Sequence, residues 1–192
     1  MFLAVALIIF ACLSRVAAVY DYGLSNFSPL MALTFCGAIY FKGRRMWLIP
    51  FAALMLTDLW INQHYVTMGY AWTWKDSLIR LTCFGAGLGL GWLVSQRKTW
   101  LNLFSGALGG AILFYLVTNT ASWFGDTYYT KTLAGWWQAM TVGHPQFAPT
   151  LFFFRNTLIS DLVFTGIFAG AMEVVARRAG KPSLLARAQV RA

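Results

Sequence analysis

The chain has 192 residues, of which 59% are hydrophobic and only 11% are charged. Soluble domains contain roughly 45–50% apolar and about 25% charged residues, so this chain has too few polar groups to cover a soluble globule. The composition excludes a soluble enzyme and a disordered chain and predicts an integral membrane protein. The net charge of +9 indicates membrane topology rather than nucleic-acid binding, because cytoplasmic loops of membrane proteins collect basic residues.

Six apolar stretches are predicted to cross the bilayer, since a transmembrane helix needs about 20 mostly apolar residues. In chain order they are residues 1–19, 29–41, 46–62, 78–95, 101–118 and 149–175. The first stretch has no positively charged segment before it and is therefore predicted to be an uncleaved span rather than a signal peptide. Residues 132–140 are predicted to form a short helix on the outer surface. We expect an all-α, six-span transmembrane domain over residues 1–176, followed by a basic cytoplasmic tail, 177–192.

Basic residues are distributed unevenly among the loops. Ten of the fifteen Lys and Arg residues fall in the short turns 42–45 and 96–100 and in the tail. The long loops on the other side, 20–28, 63–77 and 119–148, carry two lysines that three aspartates balance. The positive-inside rule therefore predicts that both termini are cytoplasmic and that the long loops face outward.

The long loops are also rich in aromatic residues: Tyr65, Tyr70, Trp72 and Trp74 in one, and Trp123, Tyr128, Tyr129, Trp136 and Trp137 in another. Such residues form a belt at the headgroup level in many membrane proteins. Here they are concentrated on one side and in loops long enough to be functional, so the alternative is the mouth of a binding site.

Pairs of glycines four residues apart occur on three predicted spans: Gly85/Gly89, Gly87/Gly91, Gly106/Gly110 and Gly166/Gly170. Such pairs allow helix backbones to approach closely. They predict tight packing within this bundle or, alternatively, contact with another membrane protein.

Ionisable residues inside spans are costly and therefore raise functional hypotheses. One interpretation is a structural ion pair between Asp58 and Arg155; the other places Arg155 and Asn156 in the floor of an outward-facing cavity. Asp161 lies deeper and is expected to accept a hydrogen bond from Asn119.

Two further charged residues are expected to have only local partners, because residues four apart are neighbours on a helix surface. Arg80 is predicted to pair with Asp76 at the outer mouth. Glu173 is predicted to pair with Arg177 in solvent at the cytoplasmic end.

Cys83 lies five residues into the fourth predicted span and shares a helix face with Arg80, and a nearby cation favours a thiolate. The alternative is an inert, buried thiol, which is also the prediction for Cys12 and Cys36. A metal site formed by Cys83 with His64 and His144 has no support from their spacing. The chain has no catalytic constellation and no nucleotide-binding motif, so we predict that it is not an enzyme.

Several motifs resemble those of a family of small bacterial six-helix membrane proteins. They are Asn-Phe-Ser-Pro-Leu-Met-Ala-Leu at 26–33, Gly-Ala-Ile-Tyr-Phe at 37–41, Asp58, Thr118–Asn119 with Trp123, and the segments 153–158 and 161–164. The resemblance covers most of residues 14–172. In size, span count and topology this family is similar to the S-components of energy-coupling factor (ECF) vitamin transporters, and it is nearest to their solitary cobalamin-specific (BtuM-like) branch.

The resemblance implies an S-component-like bundle in the bacterial cytoplasmic (inner) membrane that captures a vitamin from outside, cobalamin or a related corrinoid first among them. It implies that Cys83 is an axial ligand to the corrinoid cobalt, a soft ligand that suits a transition metal, and that the protein has no cofactor of its own. The remaining residues expected at the ligand are Asn26, Phe27, Asp58, Tyr70, Trp72, Asn119, Trp123, Arg155 and Asn156.

Two alternatives to a corrinoid carrier stay open. One is a carrier of another vitamin or precursor, with Cys83 inert. The other is a non-transporting membrane protein that serves in assembly or lipid binding. S-components that dock onto an ECF energising module typically carry Ala-x-x-x-Ala on the first span, whereas only Ser14 and Ala18 resemble that pattern here. A solitary mode is therefore expected.

Overall fold

A computed structural model of the chain describes residues 2–40, 48–70, 73–181 and 183. All regular structure in these residues is helical, and no strand occurs among them. The seven α-helices are α1 (Phe2–Tyr20), α2 (Leu30–Tyr40), α3 (Leu48–Thr67), α4 (Trp74–Gln96), α5 (Trp100–Gly125), α6 (Leu133–Met140) and α7 (Thr150–Arg178). A 3-10 turn, Tyr22–Leu24, follows α1.

The all-α prediction is confirmed over the described residues, and the described part of each predicted apolar stretch lies mainly on a helix. Helices α3 and α5 are longer than predicted, since they continue to Thr67 and Gly125. The predicted surface helix is α6, and the hydroxyl of its N-cap residue Thr132 accepts a hydrogen bond from the Gly135 amide at 3.2 Å. The predicted basic turn 42–45, Trp72 and the end of the tail from residue 184 onward lie outside the described residues.

Three of the described helices, α4, α5 and α7, are long and apolar enough to cross a membrane. Their outward faces are apolar as well, and exposed residues recur there at intervals of four or seven: Leu101, Leu108, Ile112 and Leu116 on α5, and Ile159, Val163 and Ile167 on α7. Polar residues such as Ser160, Asp161 and Thr165 are completely buried. This arrangement is that of helices in lipid, because a bilayer solvates apolar side chains and leaves polar ones to the bundle interior.

Helix α2 forms the centre of the bundle. It packs against α3, α4, α5 and α7, and most of its residues are buried, Phe35 and Cys36 almost completely. A helix that is apolar all round is buried, either in a protein core or in a membrane. Helix α2 has 11 residues, fewer than the roughly 20 that cross a bilayer. Its position inside the bundle is compatible with this short length.

Glycines of α4 and α5 make this central position possible. A Cβ atom at Gly91 would lie 2.6 Å from the carbonyl oxygen of Phe35, and one at Gly106 would lie 2.5 Å from the Phe35 ring. Gly87 and Gly110 approach Met31 in the same way. The packing interpretation is confirmed for Gly87/Gly91 and Gly106/Gly110. Gly85, Gly89 and Gly170 border open space, and Gly166 makes only an ordinary contact with Phe104.

Candidate functional site

A cavity of about 190 Å³ opens at the end of the bundle where α1, α3 and α5 end and where α2, α4 and α7 begin. Its charged lining residues are Arg15, Asp58 and Arg80, and its neutral polar ones are Asn26, Ser28, Asn62, Tyr65 and Thr157. The apolar part of the lining consists of Ala18, Val19, Met31, Ile61 and Phe114. The long loops are at the same end, so the cavity lies beneath them.

A buried ion cluster forms one wall of this cavity. Asp58 lies between two arginines: Nη2 of Arg15 is 2.8 Å from its Oδ1 atom, and Nε of Arg80 is 3.1 Å from the same oxygen. The side chains of Arg15 and Asp58 are each only 7% exposed. The predicted Asp58–Arg155 ion pair is therefore wrong, because α1 packs against α3 and brings Arg15 to this position.

Neighbouring polar groups complete the cluster. Arg15 Nη1 donates to the Leu54 carbonyl oxygen at 3.1 Å and to Thr57 Oγ1 at 2.6 Å. Asn62 donates to Asp58 Oδ2 at 3.1 Å and accepts from Arg80 Nη2 at 3.0 Å. Two guanidinium groups and one carboxylate leave the cluster with a net charge of +1.

Arg80 does not pair with Asp76, contrary to prediction. The Asp76 carboxylate instead accepts hydrogen bonds from the Thr73 amide at 3.0 Å and from the Thr73 hydroxyl at 2.9 Å, at the start of α4. An acidic residue in the first turn is stabilised there by the free amide groups and the helix dipole. Arg80 instead forms an ion pair with Asp58.

Arg155 and Asn156 do not form the cavity floor. Arg155 is exposed, and its guanidinium lies 4.6 Å from the centre of the Phe152 ring. Asn156 is buried and donates to the carbonyl oxygens of Gly23 and Ser25, each at 2.9 Å. Its role is therefore to hold the connection between α1 and α2.

That connection brings Asn26 to the cavity. Asn26 has a φ of 61°, a left-handed conformation that asparagine tolerates better than most residues. Its carbonyl oxygen accepts a hydrogen bond from Thr157 at 3.2 Å. Phe27, which we also expected at the ligand, instead packs into the core with its ring 6.3 Å from that of Phe164.

Asp161 is completely buried, and its partner is not Asn119. Its Oδ1 atom accepts a hydrogen bond from the Ala32 amide at 2.9 Å, in the first turn of α2 where amides have no partner within the helix. Asn119 donates to the Tyr115 carbonyl oxygen of its own helix at 2.8 Å. Glu173 is buried at 6% exposure and accepts a hydrogen bond from Ser183, so the prediction of a solvated residue is wrong.

Cys83 is buried at 1% exposure and does not line the cavity. Its proposed role as a cobalt ligand stays a prediction. Within the described part of the chain, no three His, Cys, Asp or Glu residues lie close enough together to hold a metal ion.

Aromatic residues above the cavity contact one another. The Tyr70 ring lies 5.8 Å from that of Tyr65, which lines the cavity, and 5.9 Å from that of Phe147 in the loop before α7. Trp123 donates from Nε1 to the Thr130 carbonyl oxygen at 2.8 Å and so fastens the loop after α5. Tyr70 therefore connects two of the long loops, and Trp123 fastens one of them to the end of α5.

The sequence interpretation missed four cavity residues, namely Arg15, Ser28, Asn62 and Thr157, and had placed Tyr65 at the mouth of a possible binding site. Arg15 did carry a signal, since an arginine within an otherwise apolar helix is expensive unless it has a function or a partner. The neutral residues carried none, because amides and hydroxyls are common at helix ends.

The apolar outward faces, the polar interior and the three long apolar helices define the class of helical integral membrane proteins. Within that class, the chain belongs to DUF6580, a family of unknown function, whose match covers residues 1–184. Comparison with curated proteins and with solved structures found no match to this chain.

Proposed function

We propose that this DUF6580 protein is a six-span carrier of the bacterial inner membrane that binds a small anionic solute from the outer side. The observation that carries the proposal is a cavity lined by two arginines and one aspartate. A cavity beneath long loops, with a few convergent polar groups in a mainly apolar wall, is typical of a small-molecule site. The resemblance to S-components makes vitamins and their precursors the first class of solute to consider.

The charge of the lining favours an anion. Asp58 neutralises one of the two guanidinium groups, and the other has no counter-charge among the described lining residues. Arg80 donates hydrogen bonds to Asp58 from Nε and to Asn62 and Ser77 from Nη2. Its Nη1 atom is therefore available to a ligand. An arginine donates well to a carboxylate, and the opposite wall with Met31 and Phe114 suits an apolar body.

The size of the cavity favours a compact solute. Its volume of about 190 Å³ is below the roughly 300–1,000 Å³ of sites for drug-sized ligands. A corrinoid is larger still and would need the loops around Tyr70 and Phe147 to move apart. The geometry therefore supports the smaller vitamin or precursor better than cobalamin.

The proposed topology places the cavity outside. The positive-inside distribution assigns the ends with Arg97, Lys98 and the basic tail to the cytoplasm. The cavity is at the opposite end of the same helices. Ala18 lines the cavity and is buried. It is therefore not presented to an energising module, which supports a solitary carrier.

The proposal is tested by extracting small molecules from the protein purified in detergent and identifying them by mass spectrometry. We expect a carboxylate-bearing molecule in the parent protein, and a loss of about tenfold or more in Arg80→Gln, because one charge-assisted contact contributes about 1.5–3 kcal/mol. Arg80→Lys, which keeps the charge, should retain part of the binding. Arg97→Gln, an exposed residue at the other end of α4, is the matched control.

Two outcomes would redirect the assignment. A corrinoid spectrum in protein from cobalamin-fed cells, lost in Cys83→Ser, would establish the cobalamin carrier instead. The second outcome is that no small molecule is extracted from the parent protein and that Arg80→Gln changes only its stability. The ion cluster would then serve only to hold α1, α3 and α4 together, which would favour the non-transporting alternative.

A further inference from the structure

The connection between α1 and α2 is fastened to α7 on both sides of Asn26. Before Asn26, the carboxamide of Asn156 donates to two carbonyl oxygens of the connection. At Asn26 itself, the Thr157 hydroxyl donates to the carbonyl oxygen at 3.2 Å. After it, the Ser160 hydroxyl donates to the carbonyl oxygen of Ser28 at 3.0 Å. The three α7 side chains are each at most 8% exposed, so water does not compete effectively for these bonds.

These bonds hold Asn26 in a strained backbone conformation. Its φ of 61° is the only positive φ of a non-glycine residue in the described part of the chain. Residues other than glycine enter the left-handed region at a cost, and they stay there only where their surroundings fix them. Such residues cluster at ligand-binding sites, which points to a role for the Asn26 side chain.

The carboxamide of Asn26 is free to bind a ligand. Asn26 is exposed and lines the same cavity as Asp58 and Arg80. Its side chain forms no hydrogen bond with any described residue, whereas the carboxamides of Asn62 and Asn156 both do. A carboxamide offers two N–H donors and one carbonyl acceptor. Asn26 therefore adds to the charged cluster a neutral group that can both donate and accept.

We propose that Asn26 recognises an amide group of the solute, so that the solute is a compact carboxylate that also carries an amide. This inference rests on the proposed anion site, in which Nη1 of Arg80 takes the carboxylate. An amide has a donor and an acceptor side by side and can pair with a carboxamide through two hydrogen bonds. A ketone offers only the acceptor, and an alkyl chain offers neither. Met31 and Phe114 remain for the apolar body of the solute.

Asn26 thereby determines specificity more than affinity. A site that forms hydrogen bonds with one group of its solute discriminates against an analogue without that group, because the protein group then loses its partner. Asn26 is exposed to the open cavity, so water can replace a missing partner there. The discrimination is therefore moderate, about fivefold for one neutral hydrogen bond.

The test compares three carboxylates of similar size. N-acetylglycine carries an amide, levulinate has a methylene in place of the amide N–H, and pentanoate has an alkyl chain only. Each is titrated into the full chain in detergent, and binding is measured by ligand-observed NMR. We expect the parent protein to bind N-acetylglycine about fivefold more tightly than levulinate, and pentanoate to bind most weakly.

The decisive variant is Asn26→Gly, in which the preference for N-acetylglycine over levulinate should disappear. Glycine adopts a positive φ without strain, so this variant keeps the backbone of the connection and removes only the carboxamide. The matched control is Asn102→Ala. It removes a carboxamide at the start of α5, at the other end of the bundle, and should keep the preference of the parent.

Three results would overturn the inference: a parent protein without the preference, a preference that persists in Asn26→Gly, or an equal loss of affinity for all three compounds in that variant. The last result would mean that Asn26 only shapes the cavity. The first needs no variant, so the test does not depend on the folding of Asn26→Gly.

Failure of the underlying anion site gives a different result. If the three carboxylates bind without any preference and all bind more weakly in Arg80→Gln, the anion site stands and only the role of Asn26 is rejected. If none of them binds, or if Arg80→Gln leaves their binding unchanged, the anion site is rejected and the inference about Asn26 with it.

Discussion

Asp58 shows how a single residue can have two roles in this molecule. Its carboxylate balances Arg15 at 2.8 Å and also holds Arg80 at 3.1 Å, where Arg80 lines the cavity. Buried ion pairs contribute little net stability compared with apolar packing, but the loss of one partner leaves an uncompensated charge. The same carboxylate therefore orients the arginine that we propose for the solute.

Replacing Asp58 by Asn should destabilise the protein strongly. The buried guanidinium group of Arg15 and the partly buried one of Arg80 would then face each other without a counter-charge, and breaking a buried pair in this way costs about 3–5 kcal/mol. Thermal unfolding in detergent measures the change. The control is Asp21→Asn, which keeps the acceptor for the Gly23 amide at an exposed site and should unfold at the temperature of the parent. If Asp58→Asn also unfolded at the temperature of the parent, the interpretation that Asp58 is the shared partner of Arg15 and Arg80 would be contradicted.

At the scale of the elements, the position of α2 determines the architecture. This helix is short, yet it contacts α3, α4, α5 and α7. Close approach is possible because glycines of α4 and α5 face Met31 and Phe35. Association of helices in lipid relies on such close packing, since burial of apolar surface supplies no driving force there.

A methyl group at Gly91 should loosen this packing. Its Cβ would lie 2.6 Å from the backbone oxygen of Phe35 and 2.7 Å from Cβ of Ala38, so the helices would have to separate, at a cost of about 1–3 kcal/mol. The measurement is the unfolding temperature of Gly91→Ala compared with Gly89→Ala. Gly89 has no atom within 4 Å of its added Cβ, so this control should be at least as stable as the parent, because alanine favours a helix more than glycine does. An equal loss of stability in both variants would contradict the close-approach explanation.

For the whole molecule, topology determines the side of the membrane to which the cavity opens. The cavity is at the end with the long aromatic loops, and the last turn of α7 at the other end holds Arg177 and Arg178. If the positive end is cytoplasmic, solute enters the cavity from outside. Orientation therefore determines the direction of the proposed solute uptake.

Labelling of engineered cysteines tests that orientation. Thr127→Cys, in the exposed loop after α5, should react with an impermeant maleimide in intact cells, whereas Arg97→Cys, in the turn before α5, should react only after the cells are permeabilised. The native thiols do not interfere strongly, because Cys36 and Cys83 are buried and Cys12 is partly buried. Labelling of Arg97→Cys in intact cells would reverse the proposed topology.

Sequence patterns predicted the helices well because apolar length and loop charge are local properties. The helices α1 to α5, the short helix α6 and α7 all lie where the apolar and aromatic stretches indicated. The partners of the charged residues were predicted poorly. The observed environment differs from the expected one at Asp58, Arg80, Asp161 and Glu173. Each expectation considered only partners that are near in sequence or at the same predicted depth in the membrane.

By itself, the sequence determined that this is a helical membrane protein with basic residues at one end and aromatic loops at the other. Both properties follow from what each segment can expose to lipid or to water. Only the tertiary structure decided that Arg15 contacts Asp58 and that Asp161 accepts a hydrogen bond from the first turn of α2. These contacts join residues that are tens to more than a hundred positions apart, and helix packing rather than local pattern selects them.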